Sequence, residues 1–244
     1  MKLTALAISC GGTGGHFNPG LSIARALKAR GGKPVLILGG KHVVKQAETA
    51  AEYGIEAVRI EAVPLTKNPF RLPMFFKHLF AGAAQTKAAY RKYGCQALLC
   101  MGSFASFPPA LAARLNRFPL FLHDGNAKIG RANRMLSRWA KALALSFPVK
   151  DVSRCKCPTI LTGMPLRPEI VSGVMDKADA VAEINRRWNA GFSPEKPLLL
   201  VFGGSLGART INTKVKIPVG LPGANDLQVV RLVGPGNLEA IRPL

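Results

Sequence analysis

Acidic residues are scarce in this chain of 244 residues: 13 Asp and Glu stand against 34 Lys and Arg, a formal charge of +21. Such an imbalance bears on association and not on fold. It favours an anionic partner (nucleic acid, anionic lipid headgroups or a phosphorylated substrate) unless the lysines serve only solubility. The basic residues are scattered and no recognised nucleic-acid-binding motif is present, so no nucleic acid partner is expected. Cysteine is sparse and lacks a pairing pattern. Cys10, Cys95, Cys100, Cys155 and Cys157 are odd in number and contain no C-x-x-C, which argues for reduced thiols in a cytosolic protein. Cys155 and Cys157 lie too close in sequence to supply two tetrahedral ligands, and no histidine lies nearby, so no metal is expected. Long apolar runs are missing as well. No stretch approaches the roughly 20 apolar residues of a membrane span, and the short run Leu3 to Ser9 ends in a glycine cluster followed by helical periodicity, unlike a signal peptide.

What is present is the composition of a globular core, 48% apolar with 7% aromatic residues. Strand and helix signals alternate. Leu3 to Ser9 is apolar, Gly20 to Arg30 carries Leu21, Ala24 and Leu27 at helical spacing, and Pro34 to Leu38 is apolar again. Helices are predicted over His42 to Tyr53, Phe75 to Lys92, Pro108 to Leu115 and Arg131 to Ala140, with strands at Ala57 to Ile60, Ala97 to Met101 and Leu120 to Leu122. Parallel strands need crossover helices, so this order predicts an α/β fold with a parallel sheet covered on both faces. After Leu145, Pro148, Pro158, Pro165 and Pro168 break the alternation and suggest a linker. A second unit follows, with a helix over Lys177 to Trp188, strands at Pro197 to Phe202 and Gln228 to Val233, and a helix over Ala208 to Lys214. That is too few elements for a closed second sheet of usual size. The expected domains are 1–163 and a partial 164–244.

Three strand-to-helix turns carry glycine. In the first, Gly11 to Gly20, bare backbone amides and the positive end of a helix make an anion site, and glycine lets the main chain approach a diphosphate. A dinucleotide fingerprint is not met, because Phe17 stands where the third glycine belongs and no acid follows at the second strand; a P-loop lacks its Lys-Ser or Lys-Thr. His16 lies at the mouth of this turn, where an imidazole can accept a proton near neutral pH or simply cap or pack. The second turn, Gly203 to Gly207, places Ser205 to donate to a phosphate, and the third, after Met101, has a single glycine. Glycine turns in both lobes favour a ligand held between two sheets at the carboxyl ends of their strands. The segment Asn68 to Ala81 groups Phe70, Leu72, Phe75, Phe76, Leu79 and Phe80 with Arg71, Lys77 and His78, a pattern suited either to shallow insertion among anionic headgroups or to inward packing.

The strings GGTGGHFNPGLSIARAL (Gly11 to Leu27), MGSFASFPPALAA (Met101 to Ala113), LHDGNAKIGRANRMLSRWA (Leu122 to Ala140), TGMPLRPEI (Thr162 to Ile170) and VFGGSLGARTIN (Val201 to Asn212) occur in one order. In that order they resemble the family that transfers N-acetylglucosamine from UDP-N-acetylglucosamine to lipid-linked muramyl-pentapeptide. The resemblance implies a glycosyltransferase-B type fold, two Rossmann-like doubly wound lobes with the second incomplete here, and no cofactor or obligatory metal. It implies UDP-N-acetylglucosamine and undecaprenyl-pyrophosphoryl-N-acetylmuramyl-pentapeptide as substrates in peptidoglycan synthesis, at the cytoplasmic face of the bacterial inner membrane; the aromatic and basic pattern of Asn68 to Ala81 then points Phe75, Phe76, Leu79 and Phe80 toward anionic lipid. By the same resemblance Thr13, Gly14 and Gly15 line the site and His16 is the general base. Asn126 and Arg167 contact the UDP-sugar, and Ser205 contacts the donor phosphate. The chain departs from the family at Asp124-Gly125, where a Glu-Gln pair is usual, and at Ser103-Phe104, where Gly-Tyr is usual. The family's acidic ribose-binding residue and sugar-binding glutamines fall beyond Leu244, and Pro218, Gly220, Pro222 and Gly223 interrupt the helix due there. A carboxy-terminal truncation is therefore expected, and with it the alternative of an inactive fragment that retains membrane or acceptor binding.

Overall fold

The computed structural model describes residues 4–66, 68–150, 152–204, 207–215 and 226–239. The chain divides into two compact units, 1–172 and 173–244.

The first unit is built on a seven-stranded sheet. Its strands are β1 (Ala5–Ser9), β2 (Lys33–Gly39), β3 (Glu56–Ile60), β4 (Ala97–Cys100), β5 (Leu120–Asp124), β6 (Ala142–Leu145) and β7 (Thr159–Leu161). All pairs are parallel, in the order β3-β2-β1-β4-β5-β6-β7. Parallel strands lie under crossover helices on both faces and so read as unbroken apolar runs; every residue of β1 is buried, as is β2 from Pro34 onward. One face packs against α1 (Gly14–Ala29) and α2 (Val43–Glu52), through Phe17, Leu21, Ala24 and Ala50. The other packs against α3 (Leu72–Tyr93), α4 (Phe107–Leu115) and α5 (Arg131–Leu136), through Ala83, Tyr90, Ala110, Ala113 and Leu136. A short helix, α6 (Pro168–Ser172), closes the unit.

Three differences from the sequence reading matter. Helix α1 begins at Gly14 and not at Gly20; glycine and Pro19 are poor helix formers, but burial of Phe17 and Leu21 against the sheet overrides that preference. Strand β5 runs on through His123 to Asp124, which carries both side chains to the edge of the site. The proline-rich passage expected as a linker contains β7, the outermost strand. Pro158 immediately precedes it and its carbonyl accepts from Leu143 N–H at 2.9 Å, consistent with the tolerance of proline at the start of an edge strand.

The second unit holds α7 (Lys177–Trp188), β8 (Leu198–Phe202), α8 (Arg209–Lys214) and β9 (Gln228–Leu232), with β8 and β9 paired in parallel. Asp176 caps α7 by accepting from Asp179 N–H at 2.9 Å.

Gly82 tests how α3 docks. A Cβ there would run into the Glu61 carbonyl oxygen and stand 2.9 Å from Pro108 Cβ. In an unpacked helix Gly→Ala stabilises by about 1 kcal/mol. Here Gly82→Ala is expected to lower stability by about 1–3 kcal/mol through overpacking, read as a fall in the urea midpoint.

Candidate active site

Strands β1 and β4 are neighbours, yet the helices that follow them, α1 and α4, leave for opposite faces of the sheet. The crevice opened by that divergence, at the carboxyl ends of the strands, is where open parallel sheets bind ligands. Two turns meet in it. A Cβ on Gly12 would stand 3.2 Å from Ser103 Oγ, and Gly12 itself has φ 103°, open only to glycine without strain. The glycines of the first turn divide by task. A side chain at Gly11 would strike the Gly39 backbone, and one at Gly20 would strike Cys10, so these two serve close packing. Gly14 and Gly15 face open space, with Asn18 Nδ2 and Thr13 Oγ1 their nearest neighbours at 3.7 and 3.8 Å.

Thr13 starts α1 in extended conformation, and its carbonyl accepts from His16 N–H at 3.1 Å and Phe17 N–H at 3.0 Å. Its hydroxyl does not cap the helix; it pairs with His16 Nδ1 at 2.9 Å. Among the described residues the amides of Gly14 and Gly15 have no acceptor, and the first turn holds no acid. Unmet donors and the positive end of a 16-residue helix therefore coincide on an exposed turn.

The half-buried His16 ring lies against Gly102, where a Cβ would come within 3.4 Å of Nε2. Burial holds the His16 pKa below the ordinary histidine value, while the nearby Asp124 charge pulls it back up. Asp124 is 1% exposed and accepts four hydrogen bonds. Asn126 gives its backbone N–H at 3.0 Å and its Nδ2 at 2.8 Å. Gly130 N–H adds 2.7 Å and Asn133 Nδ2 2.9 Å. Asn133 Nδ2 also donates to the His123 carbonyl at 2.8 Å, and Asn133 Oδ1 is buried without a partner among the described residues. His123, itself buried, pairs through Nε2 with Ser146 Oγ at 3.1 Å. Its pKa is lowered chiefly by burial, the backbone at Gly163 and the Asp124 charge acting upward and His16 downward.

Residues 6–145 match the family model of the glycosyltransferase family 28 N-terminal domain. The chain belongs to glycosyltransferase family 28. Two relatives are each named UDP-N-acetylglucosamine--N-acetylmuramyl-(pentapeptide) pyrophosphoryl-undecaprenol N-acetylglucosamine transferase. The protein from Frankia casuarinae is 32% identical over 98% of this chain and 62% of its own length. That from Thermus thermophilus is 36% identical over 98% of this chain and 66% of its own. The chain thus spans just under two thirds of these relatives. The fold is shared with the crystal structure of Acinetobacter baumannii MurG, at TM-score 0.65 and 22% identity over 98% of this chain and 63% of that one. It is shared also with a glycosyltransferase of kitacinnamycin, at TM-score 0.62, 16% identity and 70% of that chain.

Of the residues singled out by sequence, this family 28 domain brings Thr13, Gly14, Gly15 and His16 together at one turn. Asn126 is tied to the same crevice through Asp124 and Asn133. Arg167 is exposed just before α6, its guanidinium bonded to none of the described residues and lying near Glu169; Glu169 pairs at 2.6 Å with Arg25, roughly two and a half turns along α1 from His16. Ser205 lies outside the described residues. Asp124 and Asn133 lie in this crevice; Asp124 entered the sequence reading only as a departure from the family pattern, and Asn133 was assigned no role. A further signal was an acid ending an otherwise apolar strand, LFLHD. Among the described residues no group of three His, Cys, Asp or Glu could hold a metal ion, and no helix is long and apolar enough to cross a membrane. On the start of α3 and the turn before it, Phe70, Met74, Phe76 and Phe80 are exposed, whereas Phe75 and Leu79 are half-buried. Arg71 and Lys77 flank them, and His78 is paired with Glu61 at 2.5 Å.

Depressed pKa values at His16 and His123 make the fold favour neutral imidazoles. Stability is then full above the unfolded value, about 6.5, and lost as pH falls through the lower folded values. Urea unfolding should show a midpoint that is flat above about pH 7 and falls toward about pH 5, with a shallower fall in His123→Gln.

Proposed function

We propose that this chain supplies the acceptor side of an inverting N-acetylglucosaminyl transferase that takes UDP-N-acetylglucosamine as donor and a lipid-linked N-acetylmuramyl-pentapeptide as acceptor. The observation that carries the reading is the pairing of a partly buried, neutral His16 with unmet amides at Gly14 and Gly15 on an exposed helix start. Those amides suit a diphosphate, which the acceptor of the named relatives carries. With Nδ1–H donated to Thr13 Oγ1, Nε2 keeps its lone pair. His16 takes the proton of the acceptor C4 hydroxyl as that oxygen bonds to the anomeric carbon of the donor; the bond from that carbon to the β-phosphate oxygen breaks, and UDP leaves with the electron pair. Asp124 raises the basicity of His16 through its charge and orients Asn126 and Asn133. Asn126 and Arg167 are assigned to the UDP-sugar and Ser205 to the donor phosphate, following the family resemblance. Arg167 is suited to such a contact because a planar guanidinium can bond two phosphate oxygens at once. Phe76 and Phe80, ringed by Arg71 and Lys77, seat the domain on the anionic inner face of the cytoplasmic membrane, with Phe75 and Leu79 behind them. Each buried phenylalanine contributes about 1.5–3 kcal/mol and each nearby cation about 1 kcal/mol.

The decisive assay is transfer of labelled N-acetylglucosamine to a lipid-linked muramyl-pentapeptide by the chain itself. Turnover supports the full reading. Acceptor binding without turnover supports the narrower one, a fragment that only holds acceptor and membrane. Absence of both overturns the proposal. His16→Ala is expected to lower kcat by about 10²–10⁴ with little change in donor affinity, and the acid limb of the wild-type profile should fall below about pH 6.5. In a separate measurement, Phe76→Ser/Phe80→Ser should sharply reduce flotation with anionic vesicles while leaving unfolding midpoints unchanged.

A further inference from the structure

A second cavity lies at the other end of the sheet, where the strands begin. It measures about 540 Å³ and is lined by Arg114, Arg117, Arg138 and Lys141 around Phe118 and Trp139. Backbone bonds from Lys141 N–H to the Leu120 carbonyl at 2.7 Å and from Leu98 N–H to the Pro119 carbonyl at 2.9 Å set it at the amino ends of β4, β5 and β6. The crevice of His16 is at their carboxyl ends, so the two are separated by the length of the strands. No acid lines this cavity, and none of its four cations has a carboxylate partner among the described residues. Asp124, at the far end of β5, is the only acid between Glu61 and Asp151 in the sequence.

Arg117 makes the cavity more than a chance gathering of charge. Helix α4 ends in a Schellman motif, with Phe118 N–H bonded to the Ala113 carbonyl at 2.9 Å and Arg117 N–H to the Arg114 carbonyl at 3.5 Å. The residue between helix cap and Phe118 must then be left-handed, a place where glycine is favoured. Arg117 occupies it at φ 56°. The arginine held there against its backbone preference stands beside three cations with no carboxylate partner among the described residues and a 38% exposed indole.

We propose that this cavity is a binding site for a phosphate-bearing anion, distinct from the reaction crevice, with Arg114, Arg117, Arg138 and Lys141 bonding the phosphate oxygens and Trp139 flanking the remainder. Guanidinium groups bond phosphate through paired, charge-assisted contacts, and the volume falls within the ordinary range of small-ligand sites. A lipid headgroup and a free phosphorylated compound share this chemistry.

The test uses the full chain carrying Gly15→Asp, Phe76→Ser and Phe80→Ser, so that a carboxylate at the start of α1 repels anions from that turn, the exposed rings of α3 no longer drive flotation, and the outcome is independent of how the reaction crevice and the α3 surface are read. Inorganic pyrophosphate is titrated calorimetrically. Flotation is measured with vesicles of phosphatidylcholine alone and of an equal mixture with phosphatidylglycerol. Arg117→Gly and Arg138→Gln are each expected to weaken anion binding by about tenfold. Arg117→Gly should at the same time raise the melting temperature, because glycine relieves the left-handed backbone, and this shows that lost binding is not lost folding. Pyrophosphate binding with these losses assigns the site to a free phosphorylated ligand, and losses confined to the mixed vesicles assign it to a headgroup. If neither probe binds, or both bind the variants as they bind the parent, the proposal is overturned.

Discussion

The arrangement depends on one topological constraint: crossover connections in a parallel sheet share one hand, so strand order can reverse only where successive helices go to opposite faces. In this chain the reversal falls between β1 and β4. It leaves the ends of two strands side by side between the helices of the two faces. The glycine turn after β1 and the turn after β4 touch there, and His16 is set against Gly102 across the gap. Without that divergence the first turn of α1 would be covered by a neighbouring helix, and its unmet amides could not face solvent.

Around this opening the protein places its few acids with economy. Asp124 is buried in a strongly basic chain, and four donors from Asn126, Gly130 and Asn133 hold it. A buried carboxylate with that many donors is a rigid hub. It fixes the loop after β5 and acts on both imidazoles through its charge. Where the resemblance leads one to expect a longer Glu, Asp124 is held at the strand end by the side chains of Asn126 and Asn133 and the backbone amides of Asn126 and Gly130.

The excess of positive charge has at least two locations with different physics. Near the start of α3, cations surround exposed aromatic rings, a mixture that gains from contact with an apolar, anionic layer. At the amino ends of β4 to β6, cations line an open pocket and one of them sits in left-handed backbone. The first mixes charge with exposed rings and the second concentrates charge around one indole.

Much of this was legible in the sequence. Apolar runs and helical spacing predicted most elements, though not β6, β7 or α6, because those periodicities reflect local geometry, and the strand-glycine-helix pattern with His16 marked the turn of the candidate site. Composition by itself also set the charge. The rest depended on contacts between residues far apart in the chain, which no local pattern encodes. Only the tertiary structure separated Gly11 and Gly20, which pack against backbone and Cys10, from Gly14 and Gly15, which stay open. It alone turned Phe76 and Phe80 outward while half-burying Phe75 and Leu79, and added β7 to the sheet where prolines suggested a linker. Asp124 with Asn133, and Arg117 with Arg138, are meetings of this second kind: the sequence supplies the groups, and the sheet order and helix ends decide which of them meet.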